Sequence, residues 1–155
     1  MKVYLYKPKI NELSFRQELL QDEDTMSYNK AWGGTIDFPK EKWKGWYTRW
    51  VINKDNKRYY RFLKNEDGDF IGEIALHYDS SYDGYMVNVI IHTKCRRRGY
   101  GLLALKKLCA VAKKRAITVL YDDIAIDNSG ISIFLKCGFQ EVSRTDKIIL
   151  LKRIL

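Results

Sequence analysis

The chain has 155 residues, 46% of them hydrophobic and 30% charged, with a formal net charge of +9. Such a length and composition fit one folded domain over residues 1–155 and exclude a disordered chain. The excess positive charge favours anionic ligands through long-range attraction, a nucleic acid or a polyphosphate among them.

No run approaches the roughly 20 apolar residues of a membrane span, and Met1-Lys2-Val3-Tyr4-Leu5-Tyr6 has no signal-peptide core. The expectation is a cytoplasmic protein with no membrane partner. In chain order, residues 2–7 alternate and read as a strand. Asn11 to Gln21 reads as a helix, followed by the acidic stretch Asp22-Glu23-Asp24 and a loop through Trp32-Gly33-Gly34. Pro39 and Glu41 suit a helix start, and Trp43, Trp46, Tyr47 and Trp50 share one stripe of the helix that follows to about Val51. Three strands come next, Arg58 to Lys64, Phe70 to Tyr78 and Tyr85 to Thr93, separated by turn signals such as Asn65-Glu66-Asp67-Gly68. Gly101 to Arg115 is an amphipathic helix, Ile117 to Asp122 a strand, and Asn128 to Lys136 a short helix that Gly138 can end. Two strands, Phe139 to Arg144 and Lys147 to Leu155, close the chain. The order β-α-α-β-β-β-α-β-α-β-β predicts an α/β (α+β) fold, a central mixed, mostly antiparallel sheet with helices on both faces.

Cys95, Cys109 and Cys137 are odd in number and fit no zinc spacing, so they read as free thiols and no metal is expected. A cysteine nucleophile needs a histidine in contact, and only His77 and His92 are available. Basic residues are spread along the chain apart from one knot, Lys94-Cys95-Arg96-Arg97-Arg98, and no nucleic-acid motif appears.

That knot lies where a hydrophobic strand runs through Gly99-Tyr100-Gly101 into a helix. A helix start carries unpaired N–H groups and partial positive charge, so it is suited to a diphosphate. Glycine lets backbone approach the phosphates closely. The bland alternative is that the glycines only relieve a tight turn and the arginines form a solvated patch. The segment is neither a Walker loop nor a G-x-G-x-x-G fingerprint, because Ala104 stands three places after Gly101.

Arg96-x-x-Gly99-x-Gly101 after a strand resembles the pyrophosphate loop of the GNAT superfamily of N-acetyltransferases, [QR]-x-x-G-x-[GA]. Downstream, Asp127-Asn128, a short apolar segment and Lys136-Cys137-Gly138-Phe139 resemble that superfamily's second signature. The element order is also similar. The resemblance implies acetyl-CoA as co-substrate and direct attack of a primary amine, of a small molecule or a protein, on the thioester. It implies that Ile91 and Thr93 offer backbone groups to the pantetheine arm, and that N–H groups of Arg96, Arg97, Arg98, Gly99, Tyr100, Gly101 and Leu102 hold the diphosphate. Asn128 would bond the same arm; it reads equally as a helix cap.

The family's usual acid, a tyrosine four residues before the Gly-Phe glycine, is replaced by Phe134. Members often place a basic Glu on the strand before the loop, and residues 85–93 hold no carboxylate. Glu73 on the preceding strand is the first candidate base. His92 is the second, since imidazole exchanges protons near neutral pH. Acceptors in this superfamily bind over the first helices, which points to Asp24, Tyr28 and Trp32 for a cationic amine. A catalytically weak acyl-CoA sensor on the same fold is the alternative function, and a homodimer stays open.

Overall fold

Alternating apolar residues in β2 (Arg58–Lys64), β3 (Phe70–Asp79) and β4 (Gly84–Ile91) form an antiparallel meander at the centre of a seven-stranded sheet. The computed structural model describes residues 1–155. Short β1 (Tyr4–Tyr6) borders β2, and β5 (Val119–Ala125), β6 (Gln140–Arg144) and β7 (Ile148–Ile154) complete the order β1-β2-β3-β4-β5-β7-β6. Only the β4–β5 contact is parallel.

The period of two along each strand divides the apolar residues between two cores. On one face, Ile74, Leu76 and Val87 meet Ala104, Leu105, Leu108 and Ala112 of α3 (Tyr100–Lys114), together with Phe134 of α4 (Ile131–Lys136). On the other, Phe62, Ala75 and Ile90 meet Leu13, Leu19 and Leu20 of α1 (Leu13–Gln21) and Trp43 and Trp46 of α2 (Trp43–Tyr47). Each such large apolar side chain contributes about 1.5–3 kcal/mol by leaving water. Helices therefore cover both faces of a mixed sheet, as the element order predicts.

Several boundaries differ from the sequence reading. The first helix begins as a 3-10 turn at Ile10–Glu12, and the second ends in a π-helical turn over Thr48–Ile52. Residues Thr25–Trp32, of which only the end through Trp32 reads as loop in the sequence, form 3-10 helix that closes on left-handed Gly33. α4 starts at Ile131 and not at Asn128, because the Asn128 side chain folds forward onto the Gly130 N–H.

Candidate active site

β4 ends at Ile91, a 3-10 turn follows at Thr93–Cys95, and α3 opens at Tyr100. Between them Arg97 (φ 62°) and Gly99 (φ 92°) both take the left-handed conformation. An L side chain at Gly99 would be strained by that angle. No N–H from Arg97 to Leu102 donates to a backbone acceptor; the first bond of the helix runs from the Leu103 N–H to the Gly99 carbonyl at 3.3 Å. A run of free amides at the positive end of a 15-residue helix is an anion cradle. Its chemistry fits a diphosphate. At Gly101 a Cβ would stand 3.1 Å from the Ile133 side chain, so the missing atom also lets α4 close on α3.

The three arginines separate. Arg96 Nε donates to the Ile91 carbonyl at 3.0 Å, and its two other nitrogens donate to the Asp24 and Thr25 carbonyls at 3.3 and 2.5 Å. Its guanidinium is therefore a rivet between the end of β4 and the turn after α1. Exposed Arg97 lines the cleft described next, whereas exposed Arg98 does not. The Tyr100 ring is buried, and its hydroxyl donates to the Glu66 carboxylate at 3.2 Å, so only its backbone faces the cradle.

The cradle opens onto a cleft of about 1440 Å³. The sheet itself makes this cleft. β4 and β5 pair only at Tyr85↔Leu120 and Met86↔Tyr121, then part. His92 N–H bonds the Ile71 carbonyl, so by ladder alternation the N–H groups of Val89 and Ile91 turn toward the side that β5 has left. Three of the groups expected to be free are engaged, the first being the Arg96 N–H, which donates to the Thr93 carbonyl at 3.3 Å and so does not join the free amides of the cradle. The Ile91 carbonyl accepts from Arg96, and the Thr93 N–H donates to Thr25 Oγ1 at 3.0 Å. Thr25 is itself fixed by a 2.5 Å bond to Asp22, whose carboxyl that bond holds below its ordinary range. Asn128 lines the cleft while its Oδ1 accepts the Gly130 N–H at 2.8 Å; it is not the cap of α4, a place that Gly130 takes. Phe134 also lines it, packed edge-on against Phe139 at 5.1 Å.

A second cavity of about 360 Å³ lies along β3 and β4 under α2, lined by Trp46, Trp50, Tyr60, His77, Asp79 and Met86 among others. Arg16, Glu73, Asn88 and Asp122 line both cavities and mark their junction. Glu73 is fully buried. Its Oε2 accepts from Arg16 Nε at 3.1 Å and from the Tyr60 hydroxyl, while Oε1 has no partner. Arg16 in turn lies 4.3 Å from the Trp46 ring centre and 4.6 Å from that of Phe38, a cation–π cage. Burial, reinforced by Glu73, pushes the Tyr60 hydroxyl well above its ordinary pKa. The Tyr28 hydroxyl is raised by burial, then by Glu73 and Asp122. Asp122 is raised well above the carboxylate range, first by burial and then by Asp123. Asp24, Tyr28 and Trp32 all line the larger cleft, Trp32 with 48% of its surface exposed. His92 lines neither cavity; its Nδ1 accepts the Lys94 N–H at 3.2 Å, and its Nε2 stands 3.9 Å from Asp22.

The sequence profile described as "Acetyltransferase (GNAT) domain" matches residues 3–140. The chain belongs to the GNAT acetyltransferases. An uncharacterized N-acetyltransferase of Methanocaldococcus jannaschii is 26% identical over 123 residues, which is 74% of this chain and 54% of that protein. The chain thus spans about half the length of that relative. The fold is similar to that of spermidine N-acetyltransferase from Vibrio cholerae, solved with CoA and spermine (TM-score 0.82, 16% identity, 98% of this chain and 95% of the other). It is similar also to PaiA N-acetyltransferase from Thermoplasma acidophilum, solved with coenzyme A (TM-score 0.73, 15% identity, 100% of each chain).

For this GNAT chain, sequence reasoning missed Arg16, Tyr60, Asn88 and Asp122. Three of them gave little signal, because an Arg in a polar helix or a Tyr in a strand is ordinary. Asp122-Asp123 did give one: two carboxylates inside Val-Leu-Tyr-Asp-Asp-Ile-Ala, a strand of residues otherwise suited to burial.

Proposed function

We propose that the protein transfers an acetyl group from acetyl-CoA to a primary amine, with a small molecule as the first class of acceptor. The observation that carries this reading is the run of free amides from Arg97 to Leu102, which opens into a cleft that continues to a carboxylate-bearing second cavity. Acetyl-CoA supplies an activated acyl group as a thioester. The amides of residues 97–102 and the Arg97 side chain hold its diphosphate. The N–H groups of Val89 and Ile91 hold the pantetheine arm in the manner of an added strand, and Asn128 contributes from the far side. Thr93 and Arg96 keep the end of β4 in place. Phe134 packs beside the arm and supplies no proton, so the departing thiolate takes one from the attacking nitrogen or from water.

The acceptor enters past Asp24, Tyr28 and Trp32 or through the second cavity, and its ammonium is drawn by the carboxylates at the junction. Glu73, held in place by Arg16 and Tyr60, helps to orient the acceptor. His92 serves the loop and not the proton transfer. The Vibrio cholerae neighbour makes spermidine and spermine sensible first acceptors. The test is calorimetry with acetyl-CoA, followed by thiol release over an amine panel led by those two and including a lysine peptide. Expected are micromolar affinity and amine-dependent release of CoA. Affinity with no turnover over the panel favours the sensor reading that the loss of the tyrosine at Phe134 permits, and no affinity defeats both.

A further inference from the structure

We propose that Asp122 is the catalytic base, the group that takes the proton from the acceptor's ammonium where the sheet opens. The inference rests on the acetyltransferase reading and deepens it. Its ground is position. The β4–β5 ladder stops at Met86↔Tyr121, and Asp122 is the next residue of β5, the first that no longer faces a partner on β4. It lines both the large cleft and the second cavity, so an amine that reaches from one into the other passes it.

The two carboxylates of the junction are not equivalent. Glu73 is sealed from solvent, and its carboxylate is already engaged by Arg16 and Tyr60. Asp122 keeps some accessible surface, and its carboxylate makes no hydrogen bond or ion pair with any side chain. Charged and titratable groups surround it on several elements. On its own strand Asp123 accepts from the Tyr82 hydroxyl. The turn after α1 contributes the Tyr28 hydroxyl, and β3 the Glu73 carboxylate, balanced by Arg16 of α1. Asn88 of β4 is neutral. On β7 Leu151 stands opposite, while Lys152 and Arg153, the next two residues along that strand, point elsewhere, to the Tyr121 ring and to Cys137. From α4, Phe134 and Lys136 reach the cleft wall, and Asp79 lies in the second cavity. No cation is committed to Asp122, and its raised proton affinity follows from burial and the adjacent Asp123. A carboxylate tuned upward is matched to proton transfer near neutral pH.

The step balances simply. R-NH3⁺ gives one proton to the Asp122 carboxylate, and the freed nitrogen pair forms the C–N bond to the acyl carbon. The C–S pair leaves on sulfur, which takes up the second nitrogen proton as the thiol. Asp122 then returns its proton to water in the cleft.

The test has two readouts on the full chain. In carbon-13 aspartate-labelled protein, the Asp122 carboxyl signal, assigned by its absence in Asp122→Asn, is expected to titrate at higher pH than the exposed aspartates. Titration together with them would overturn the proposal. In thiol-release assays with acetyl-CoA and spermidine as probe, Asp122→Asn is expected to lower kcat by at least ~100-fold and to remove the acidic limb of the pH profile. Acetyl-CoA affinity by calorimetry should stay within about twofold, since the diphosphate cradle is untouched. An Asp122→Asn protein with wild-type kcat and an intact acidic limb refutes the assignment while leaving the acetyltransferase reading standing. A wild type that turns over no amine refutes both.

Discussion

Arg96, Arg97 and Arg98 are adjacent in sequence and carry the same charge, yet their surroundings give them separate tasks. Arg96 is partly buried, and its guanidinium serves three backbone carbonyls. Hydrogen bonds from a charged donor contribute about 1.5–3 kcal/mol each and do not add fully, so Arg96→Ala is expected to cost about 3 kcal/mol. For a chain of this size that lowers the melting temperature by about 10 °C. Arg97→Ala removes an exposed charge and should leave stability within about 0.5 kcal/mol. Its effect appears instead in acetyl-CoA affinity, which should fall at low salt and fall less at high salt. Thermal melts and calorimetry at two ionic strengths check this, and equal melting temperatures for the two variants would contradict the rivet. Asp122 gives a pH-dependent stability of known sign. Its carboxyl titrates higher folded than unfolded, so the folded state is favoured by the protonated form. That stability is fully present below the unfolded value near ~3.9 and is lost as pH rises through the folded value. Asp122→Asn, which cannot ionise, should therefore melt above the wild type at pH 8, with the gap closing toward pH 3. A gap that is constant with pH would mean the carboxyl is not perturbed.

The elements were legible where a local pattern sets them. α3 follows from the spacing of Leu105, Leu108 and Ala112, and the meander from alternation bounded by turn residues such as Asn65 and Gly68. The free amides between β4 and α3 are legible because they follow from any helix start. Less could be read where distant segments decide. The separation of β4 from β5 depends on register between residues some 35 apart, and sequence does not show which carbonyls Arg96 will find. Asp122 is hard to single out in sequence because it lies on β5, some 30 residues after the strand that leads into the loop. Thiol chemistry tests the placement of these elements. Cys109 and Cys137 are buried with their sulfurs 3.9 Å apart between α3 and α4, and burial pushes the Cys109 thiol up to about 11. Both should resist alkylation until the chain unfolds, because the thiolate is the reactive form. Cys95 has intermediate exposure and lines the large cleft beside the cradle. Iodoacetamide labelling read by mass spectrometry should modify Cys95 first, and saturating acetyl-CoA should slow that reaction by at least ~10-fold, the approximate effect of holding the site more than nine-tenths occupied. Labelling of Cys137 ahead of Cys95 would show that α3 and α4 do not pack as described.

Across the whole molecule, the sheet behaves as two blocks, β1 to β4 and β5-β7-β6, joined by two residue pairs of parallel ladder and by the helices packed across them. A ligand lying in the gap adds contacts to both blocks. Acetyl-CoA at about 100 times its dissociation constant is expected to stabilise the fold by about 2.7 kcal/mol, a rise of roughly 5–10 °C in melting temperature. That shift alone does not locate the ligand, but backbone alternation does. Along β4, the Ile90 and His92 amides point to β3, where His92 already bonds the Ile71 carbonyl at 2.8 Å. The Val89 and Ile91 amides point into the gap. If the pantetheine arm pairs there as an added strand, hydrogen exchange at Val89 and Ile91 should slow by more than ~10-fold on adding acetyl-CoA. Ile90 and His92, protected by the sheet in either state, should change only as much as global stability changes. Residue-resolved exchange by NMR distinguishes the cases. Slowing of all four amides by one common factor would mean that the ligand stabilises the fold from elsewhere, and that the opening between β4 and β5 is not where it lies.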